Sequence, residues 1–249
     1  MNIKLYILII FVAFGCSHES PRQPSSSITT KYGAEALPLS LSHESLAASS
    51  DPFWRIIPYY RAQATNASCS IASVAIIINA LIPSYSLSAE TKLFTEQSLL
   101  NLSGSKRWKN AVSSDGKGMS LKNLTLEIKN LLEKLGLSNF NVGYHEMISE
   151  ADTTTFQEAL LRQMRGDGWI IVNYDQGLVM GSGSYGHFSP VASYWPKENK
   201  ILILDTDANW YEPYWVNLKT LVNSMTTFDN DLKQPRGYVW IFKNKSNEQ

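Results

Sequence analysis

One stretch carries most of the information about how this chain folds, and it reads Gln63-Ala-Thr-Asn-Ala-Ser-Cys69-Ser-Ile-Ala-Ser-Val-Ala-Ile-Ile-Ile-Asn79-Ala-Leu81. After Cys69, small and apolar side chains recur at the i, i+3, i+4 and i+7 spacing of a helix, and most intervening positions are apolar too. A helix that is apolar on nearly all sides is a buried one. The pattern predicts a central buried helix that starts at Cys69 and ends before Pro83, because proline disfavours helical geometry in the preceding residue.

The cysteine at the start of this helix is a candidate nucleophile. At a helix N-terminus, unpaired backbone N–H groups and the positive end of the dipole favour thiolate over thiol. Gln63, six residues before Cys69, carries an amide that can donate to an oxyanion beside the sulfur. The stretch alone is equally compatible with a small buried cysteine that only packs, since free cysteine is among the most buried residue types.

The N-terminal end resembles an export signal. Its apolar run over residues 5–14 is too short to span a bilayer and fits the core of a signal peptide. Gly15-Cys16 follows at once and resembles a bacterial lipoprotein cleavage site, so residues 1–15 are the expected signal peptide and Cys16 the expected lipidation site. The alternative is a secretory signal that leaves no lipid. Either way we expect the protein outside the cytoplasm, as a membrane-anchored lipoprotein or in secreted or periplasmic form.

Composition limits the class of protein. Residues 16–36 are rich in Ser, Pro and Thr and are expected to form a flexible tether, which leaves residues 37–249 as one domain. The formal net charge is zero and no basic stripe is visible, which argues against nucleic acid as a partner. If Cys16 is lipidated, Cys69 has no partner for a disulfide, and a lone thiol in an oxidising compartment suggests chemistry. A disulfide between the two would tie a signal remnant to the core helix and is disfavoured.

Helical patterns come first along the body of the chain, and strands follow. Amphipathic spacing predicts helices at residues 120–135 and 152–164, with a short helix or loop at residues 95–100. Residues 103–118 are polar and predict a surface loop, and the Gly-rich residues 181–186 predict a flexible one. Apolar runs predict strands at residues 140–144, 169–174, 187–194, 200–205 and 238–242. This order is typical of an α+β fold rather than of βαβ alternation.

A predicted antiparallel hairpin brings two candidate catalytic residues together. His187 opens one strand and Asp205 closes the next, so the carboxylate can hold one imidazole nitrogen while the other faces a thiol. Cys69, His187 and Asp205 are then nucleophile, base and orienting residue, in the chain order of papain-like enzymes. For His187 taken alone, a strand histidine without a function is the alternative. The preceding glycines do not form a phosphate loop, because no Gly-Lys-Ser/Thr follows.

Several of these motifs resemble those of phytochelatin synthases. The resemblance extends from Leu37 to Phe242, and it implies a papain-like fold in which a helical lobe with the catalytic helix packs on an antiparallel sheet. The motifs are Gln63-x5-Cys69-x2-Ala72-Ser73, Asn79-Ala80-Leu81, Asn173-Tyr174, Gly186-His187-Phe188-Ser189-Pro190, Ile203-Leu204-Asp205, Tyr211-Glu-Pro213-Tyr-Trp215-Val216 and Arg236-Gly237-Tyr238.

The resemblance implies thiol chemistry on glutathione. Cys69 attacks the Cys–Gly amide, glycine leaves, and a γ-glutamylcysteinyl thioester remains on the enzyme. Gln63 and the backbone N–H of Cys69 hold the oxyanion, while His187 protonates the leaving amine and then activates water or a second glutathione. No cofactor is implied. Metal–thiolate complexes of glutathione are acceptor substrates in the family, which links it to metal detoxification.

The resemblance also assigns substrate contacts. An Asp and an Arg that grip the γ-glutamyl amine and carboxylate in the family correspond to Asp229 and Arg236. Further contacts are expected at Ser68, Gly186 and Tyr211.

Two departures from the family pattern favour hydrolysis over polymer synthesis. Ala208 stands where the family has an Arg three residues after the catalytic Asp, and Ser70 replaces the glycine after the cysteine. The Cys-rich C-terminal domain of the plant enzymes is also absent from the sequence.

Two other functions stay open. Because Ala208 replaces the family Arg, a papain-like peptidase that acts on ordinary peptides remains an alternative function. The third interpretation, a binding lipoprotein on an inactive enzyme scaffold, is opposed by the complete Gln-Cys-His-Asp set. No metal site is predicted, since His18 and His43 lie in the region of the tether and His145 stands alone. The resemblance leaves a homodimer open.

Overall fold

The computed structural model describes residues 33–38, 52–82 and 92–244. The expected signal peptide, Cys16 and nearly all of the expected tether lie outside the described residues, as do His18 and His43. In the described ranges, none of the helices combines the length and apolar character needed to cross a membrane.

Helices precede most of the strands, and the prediction of an α+β fold is confirmed. The helices are α1 Phe53–Ile56, α2 Cys69–Leu81, α3 Glu96–Ser103, α4 Lys106–Ala111, α5 Leu121–Lys134, α6 Thr153–Met164, α7 Gln176–Met180 and α8 Leu218–Met225. The strands are β1 Ala36–Pro38, β2 Phe140–Glu146, β3 Gly168–Asp175, β4 Gly186–Trp195, β5 Lys200–Ile203, β6 Tyr214–Asn217, β7 Phe228–Asp229, β8 Gln234–Pro235 and β9 Gly237–Lys243.

One antiparallel sheet carries the second half of the chain. Its seven strands follow the order β1-β6-β5-β4-β3-β9-β2, and β7 and β8 pair separately. The predicted hairpin is present, because β4 pairs with β5 in antiparallel register with an irregularity between Val191 and Ser193. The start of β4 and the end of β5 therefore lie at the same end of the sheet.

The helix α2 is the buried centre of the helical part. Every residue from Cys69 to Asn79 is buried, as the sequence predicts. Its Ser73 hydroxyl donates to the backbone oxygen of Phe188 in β4 at 3.1 Å, which fixes the helix against the sheet. On the other side, the fully buried Trp108 donates its indole N–H to Ser70 at 3.3 Å. These contacts hold the start of α2 in a constant position relative to β4.

Two expectations from the sequence are wrong. Residues 103–118 are not simply a surface loop, because α4 lies within them and buries Trp108 completely. The sequence pattern does not predict α4, because its other five side chains are not buried and its composition is polar. His145 does not stand alone either, because its Nε2 lies 3.1 Å from Oδ1 of Asp152.

Candidate active site

The first residue of α2 is the buried Cys69. Ser68, at the N-cap position, makes no side-chain cap. Its hydroxyl instead accepts the backbone N–H of Thr65 at 2.9 Å and lies 3.2 Å from the Thr65 oxygen, so it closes the preceding loop on itself. The first N–H groups of α2 are left without a side-chain cap beside the sulfur, where they can receive a developing negative charge.

The imidazole of His187 joins the thiol to a carboxylate. His187, the second residue of β4, is buried, and its Nε2 lies 2.8 Å from Oδ1 of Asp205. The ring is also hydrogen-bonded to the side chain of Cys69. Because Nε2 is engaged with Asp205, Nδ1 is the nitrogen left for the sulfur. The structure thus brings Cys69, His187 and Asp205 into one continuous contact.

The carboxylate of Asp205 is fully buried and accepts hydrogen bonds at both oxygens. This environment fixes the plane of the carboxylate, and through it the orientation of the imidazole. The donors are His187 Nε2 (2.8 Å) and Asp207 N–H (2.9 Å) at Oδ1, and Gln176 Nε2 (2.8 Å), Tyr214 OH (2.9 Å) and Tyr174 OH (3.1 Å) at Oδ2.

This network keeps Asp205 ionised and its phenol partners neutral. Burial alone would raise the pKa of Asp205, but the charge of His187 and the hydrogen bonds from His187, Gln176 and the Asp207 N–H hold it below its usual value. Burial, and then the charge of Asp205, raise the pKa values of Tyr174 and Tyr214 well above the ordinary tyrosine value. Both phenols therefore remain O–H groups that can donate.

The same network favours the protonated form of His187. Burial would lower its pKa, but the charge and hydrogen bond of Asp205, with a smaller contribution from Cys69, raise it to about 10. The imidazolium then faces the sulfur, and a positive charge beside a sulfur stabilises the thiolate.

The free energy of unfolding is expected to decrease as the pH rises from 6.5 to about 10. The pKa of His187 is 6.5 as an ordinary histidine and about 10 in the folded protein, so the folded state binds this proton more tightly. The resulting stabilisation is complete below pH 6.5 and is lost as the pH rises through about 10. Urea denaturation across this range measures the effect. A His187→Gln variant should have a flatter profile, and equal slopes in both proteins would contradict the assignment.

Gln63 lies beside the same constellation. Its backbone N–H donates to the oxygen of Thr206 at 2.8 Å, and its side-chain Oε1 accepts from the Thr206 hydroxyl at 3.1 Å. Thr206 is fully buried and follows Asp205 directly. With Oε1 held in this way, Nε2 is the end of the Gln63 amide that remains to donate to a bound group.

The loop between Gln63 and Cys69 is braced from the helical side by Glu96, a residue to which the sequence assigned no role. Its Oε1 accepts the backbone N–H of Ala64 at 2.9 Å, and the carboxyl also hydrogen-bonds the Ser68 side chain. Burial raises the pKa of Glu96, and the hydrogen bonds from Ser68 and Ala64 and the charge of Arg61 oppose this only in part.

A buried carboxylate helps to hold the Gly-rich loop before His187. Asp175, buried at the end of β3, accepts from the Ser184 hydroxyl at 2.6 Å and from the Tyr185 N–H at 3.1 Å. The loop predicted to be flexible is therefore tied down immediately before the histidine.

Tyr60 connects Tyr211 to the site. It donates its hydroxyl to the backbone oxygens of Asp205 at 2.7 Å and of Tyr211 at 3.3 Å, so Tyr211 lies close to the site through its main chain.

Asp229 and Arg236 form a buried pair behind the wall of the site. Oδ2 of Asp229 and Nη1 of Arg236 lie 3.1 Å apart, and the two residues are 6% and 3% exposed. Gly186 packs directly on the pair, because a Cβ at Gly186 would lie 2.6 Å from Nη1 of Arg236. The pair thus contacts the residue that precedes His187, and any side chain at position 186 would displace it.

An open cleft of about 320 Å³ lies beside the sulfur. Within the described ranges, no group of three or more His, Cys, Asp or Glu side chains is placed to hold a metal ion. The cleft is lined by Asn66, Ala67, Cys69, Ser114, Gly116, Lys117, Gly118, Gly186 and Asp231.

A thiol at a helix start, an imidazole and a buried carboxylate in contact beside an open cleft form a site suited to nucleophilic acyl transfer, here on an α+β fold. The chain belongs to the phytochelatin synthase family, whose sequence model matches residues 24–238. It is therefore a member of an enzyme family.

Curated proteins that are similar to this chain are named glutathione gamma-glutamylcysteinyltransferases. Glutathione gamma-glutamylcysteinyltransferase 3 of Lotus japonicus is 24% identical over 207 residues, which is 78% of this chain and 38% of the relative. Glutathione gamma-glutamylcysteinyltransferase 1 of Arabidopsis thaliana is 26% identical over 192 residues, or 76% and 36% of the two chains. The Schizosaccharomyces pombe glutathione gamma-glutamylcysteinyltransferase is 49% identical over 63 residues, 25% of this chain and 15% of that protein. The chain thus spans well under half the length of these curated relatives.

Proposed function

We propose that this protein cleaves the Cys–Gly bond of glutathione through a γ-glutamylcysteinyl thioester on Cys69. The observation that carries the proposal is the continuous contact from Cys69 through His187 to Asp205, in a chain of this family. We also propose that the fold is papain-like, with α2 as the catalytic helix and the His–Asp pair supplied by the antiparallel sheet.

Acylation begins with the Cys69 thiolate facing the His187 imidazolium. The sulfur attacks the carbonyl carbon of the cysteine residue of glutathione, and the oxyanion accepts hydrogen bonds from the Cys69 backbone N–H and from Nε2 of Gln63. The C–N bond then breaks as His187 gives its proton to the glycine nitrogen. Glycine leaves as a neutral amine, and the acyl group remains on the sulfur as a thioester.

Deacylation uses the now neutral imidazole as a base. His187 takes a proton from the acceptor as the acceptor attacks the thioester, and the departing Cys69 thiolate again faces the protonated imidazole. With water as acceptor the product is γ-glutamylcysteine, and with a second glutathione it is a phytochelatin. We propose water as the main acceptor. The turn after Asp205 carries Ala208 and Asp207, and the partly buried carboxyl of Asp207 would disfavour the carboxylates of a second glutathione.

The remaining residues of the site bind the substrate or hold the surrounding loops in this proposal. Asp229 and Arg236, which pack directly on Gly186, bind the amine and the carboxylate of the γ-glutamyl group, as the family resemblance implies. Ser68 and Tyr211 help to hold the loops that border the sulfur and Asp205.

For the part of the chain outside the described residues, we propose that Cys16 carries the lipid that anchors the enzyme outside the cytoplasm. Transfer of radiolabelled fatty acid to the full chain, but not to Cys16→Ser, tests that anchor.

A substrate comparison tests the proposed function. The protein is incubated with glutathione and, separately, with fluorogenic α-linked peptides that end in a glycine-containing leaving group. Release of glycine from glutathione with little cleavage of the α-linked peptides supports the proposal. The opposite preference would identify a peptidase, the function that Ala208 keeps open. Absence of both activities in a protein that still binds glutathione would identify a binding lipoprotein.

Removing the carboxylate of Glu96 is expected to slow glycine release about tenfold, since the backbone beside Gln63 loses a charged hydrogen-bond partner and the oxyanion donor is held less firmly. The expected change is in kcat more than in KM, because the ground state does not use the oxyanion donors. Steady-state kinetics of Glu96→Ala measure it. Glu96→Gln keeps an acceptor for the Ala64 N–H and should retain most of the activity. An unchanged kcat in Glu96→Ala would show that the brace has no catalytic role.

A further inference from the structure

Gln176, the first residue of α7, has no role in the proposed mechanism beyond its place among the partners of Asp205. It is 7% exposed, although glutamine is mostly an exposed residue in folded proteins. Its side-chain Nε2 donates to Oδ2 of Asp205 at 2.8 Å, and its backbone N–H donates to the oxygen of Tyr185 at 2.9 Å. One buried residue is thus hydrogen-bonded both to the carboxylate and to the loop that leads into His187.

The donors at Oδ2 of Asp205 differ in how constantly each supplies a proton. Tyr174 and Tyr214 have one hydroxyl proton each. These two protons serve three contacts, because the hydroxyl oxygens lie 2.7 Å from each other and 3.1 Å and 2.9 Å from Oδ2. When one phenol donates to the other, one proton is left for the carboxylate. An ionised carboxylate only accepts, so the NH₂ end of the Gln176 amide must face it, and Gln176 is the constant donor at this oxygen.

The main chain of Tyr185 is held on both sides by the start of α7. Its N–H donates to Oδ1 of Asp175 at 3.1 Å, and its oxygen accepts the N–H of Gln176. Two residues later the chain reaches His187. The backbone that carries the imidazole is therefore positioned from the same point as the carboxylate that orients it.

The orientation of the imidazole decides whether it can act on the sulfur. With Nε2 of His187 hydrogen-bonded to Oδ1 of Asp205, Nδ1 is the nitrogen left for Cys69. A rotation of the carboxylate plane would move Oδ1 and the imidazole with it, and Gln176 resists that rotation by holding the other oxygen. Loss of this amide would therefore weaken the contact through which the imidazolium stabilises the thiolate.

We propose that Gln176 is a positioning residue, which holds the Asp205 carboxylate so that Nδ1 of His187 faces the sulfur. It acts through Asp205 and not by contact with the reacting atoms. The kinetic part of this inference rests on the proposed function, because it takes glycine release as the reaction. The geometric part concerns the thiolate and the imidazolium alone.

The pH profile of alkylation by iodoacetamide tests the geometry without any substrate. Gln176→Met nearly keeps the length of the side chain and removes the donor, and peptide mass spectrometry follows alkylation at Cys69. The rate at about pH 6 should fall about fivefold, because a misoriented imidazolium stabilises less thiolate. The limiting rate at high pH should stay the same, since the thiolate then forms without the imidazolium.

Gln163→Met is the matched control. Gln163 is another buried glutamine, on α6, whose amide donates to the oxygen of Val191 at 2.8 Å and accepts the N–H of Ile170 at 2.9 Å. Its loss removes two buried hydrogen bonds away from the His–Asp pair. The control should therefore lose stability and keep the alkylation profile of the unmodified protein.

Steady-state kinetics of glycine release measure the effect on the reaction. Gln176→Met should lower kcat about 30-fold and change KM less than about twofold, because the residue orients catalytic groups and does not bind substrate. Gln176→Glu is the conservative variant, since its carboxyl donates to Asp205 only when protonated. Its kcat relative to the unmodified enzyme should rise as the pH falls from about 8 to about 5.5, because burial beside a carboxylate favours the protonated form. The ratio for Gln176→Met should not rise.

An alkylation profile of Gln176→Met equal to that of the unmodified protein would overturn the proposal. A rate reduced by the same factor at every pH would overturn it too, because it would indicate obstructed access to the sulfur, and so would an equal shift in Gln163→Met. If Gln176→Met does not fold, the Gln176→Glu ratio decides, and a ratio that does not rise at low pH refutes the role. The proposed function fails by a different observation, namely that the unmodified enzyme releases no glycine from glutathione. Alkylation does not use glutathione, so the two failures are distinguishable.

Discussion

Glycine release from glutathione is expected to disappear when Cys69 is replaced by alanine. The sulfur is the atom that carries the acyl group in the proposed mechanism, and neither Gln63 nor His187 can substitute for it. Loss of the nucleophile from such a site reduces kcat by a factor of about 10⁴ or more. Chromatographic separation and quantification of free glycine, at equal protein concentrations and saturating glutathione, measures the effect.

The fold of this variant should be intact. Cys69 is a small buried residue at the first turn of α2, and alanine fits the same space while favouring helix. The melting temperature should therefore change little. Cys16→Ser is the matched control for loss of a thiol elsewhere in the chain, and it should keep full activity in detergent-solubilised protein. Substantial glycine release by Cys69→Ala would refute the assigned nucleophile.

Asp205→Asn is expected to lower both activity and stability. Asp205 accepts hydrogen bonds at both oxygens, and asparagine would place an NH₂ group against one set of these donors. The imidazolium of His187 would also lose its buried counter-ion. Breaking a buried ion pair by removing one partner costs about 3–5 kcal/mol of the free energy of unfolding. Misorientation of the imidazole reduces kcat by a factor of about 10³–10⁴.

Urea denaturation and steady-state kinetics of the Asp205→Asn protein test both effects. Asp167→Asn is the matched control, since Asp167 forms longer surface ion pairs with Arg162 at 3.5 Å and Arg165 at 3.7 Å. Such pairs contribute at most about 1 kcal/mol, and the control should keep its activity. If Asp205→Asn were as stable and as active as this control, the carboxylate could not be the orienting group.

The elements that the sequence predicts well are those with a strong local signal. The helix α2 is apolar on nearly all sides, and the apolar runs of β4 and β5 are separated by a tight turn. The proximity of His187 and Asp205 follows from that hairpin alone, because the start of one strand and the end of the next share one end of a sheet. Local pattern was therefore sufficient to propose the juxtaposition that the structure contains.

The partners of Asp205 could not be predicted in this way. Gln176 begins α7, Tyr174 belongs to β3 and Tyr214 to β6, and the three meet only through the order of strands in the sheet. A polar residue next to a strand is usually solvated, so its burial depends on pairing between distant segments. The helix α4 was missed for a related reason, since its one buried side chain, Trp108, gives no periodicity.

The positions of the charged residues around the cleft could not be predicted either, because they too depend on contacts between distant segments. The sequence assigned Asp229 and Arg236 to the substrate because of the family resemblance, and it could not show that the two side chains are buried against each other. Nor could it place Lys117 and Asp231, which lie 114 positions apart in the chain, on the lining of one cleft. One follows α4 and the other follows β7, and only the fold of the whole domain brings them to one cleft.

The central claim is that Cys69 carries the γ-glutamylcysteinyl group, and mass spectrometry of the intact protein tests it most directly. The enzyme is mixed with glutathione, quenched in acid at short times and digested to locate the modification. We expect Cys69 to gain the mass of γ-glutamylcysteine less one water, in a form that hydroxylamine removes and that Cys69→Ser does not acquire. Glycine release with unmodified Cys69 at every quench time, or with a reducible whole-glutathione disulfide as the only adduct, would contradict the account.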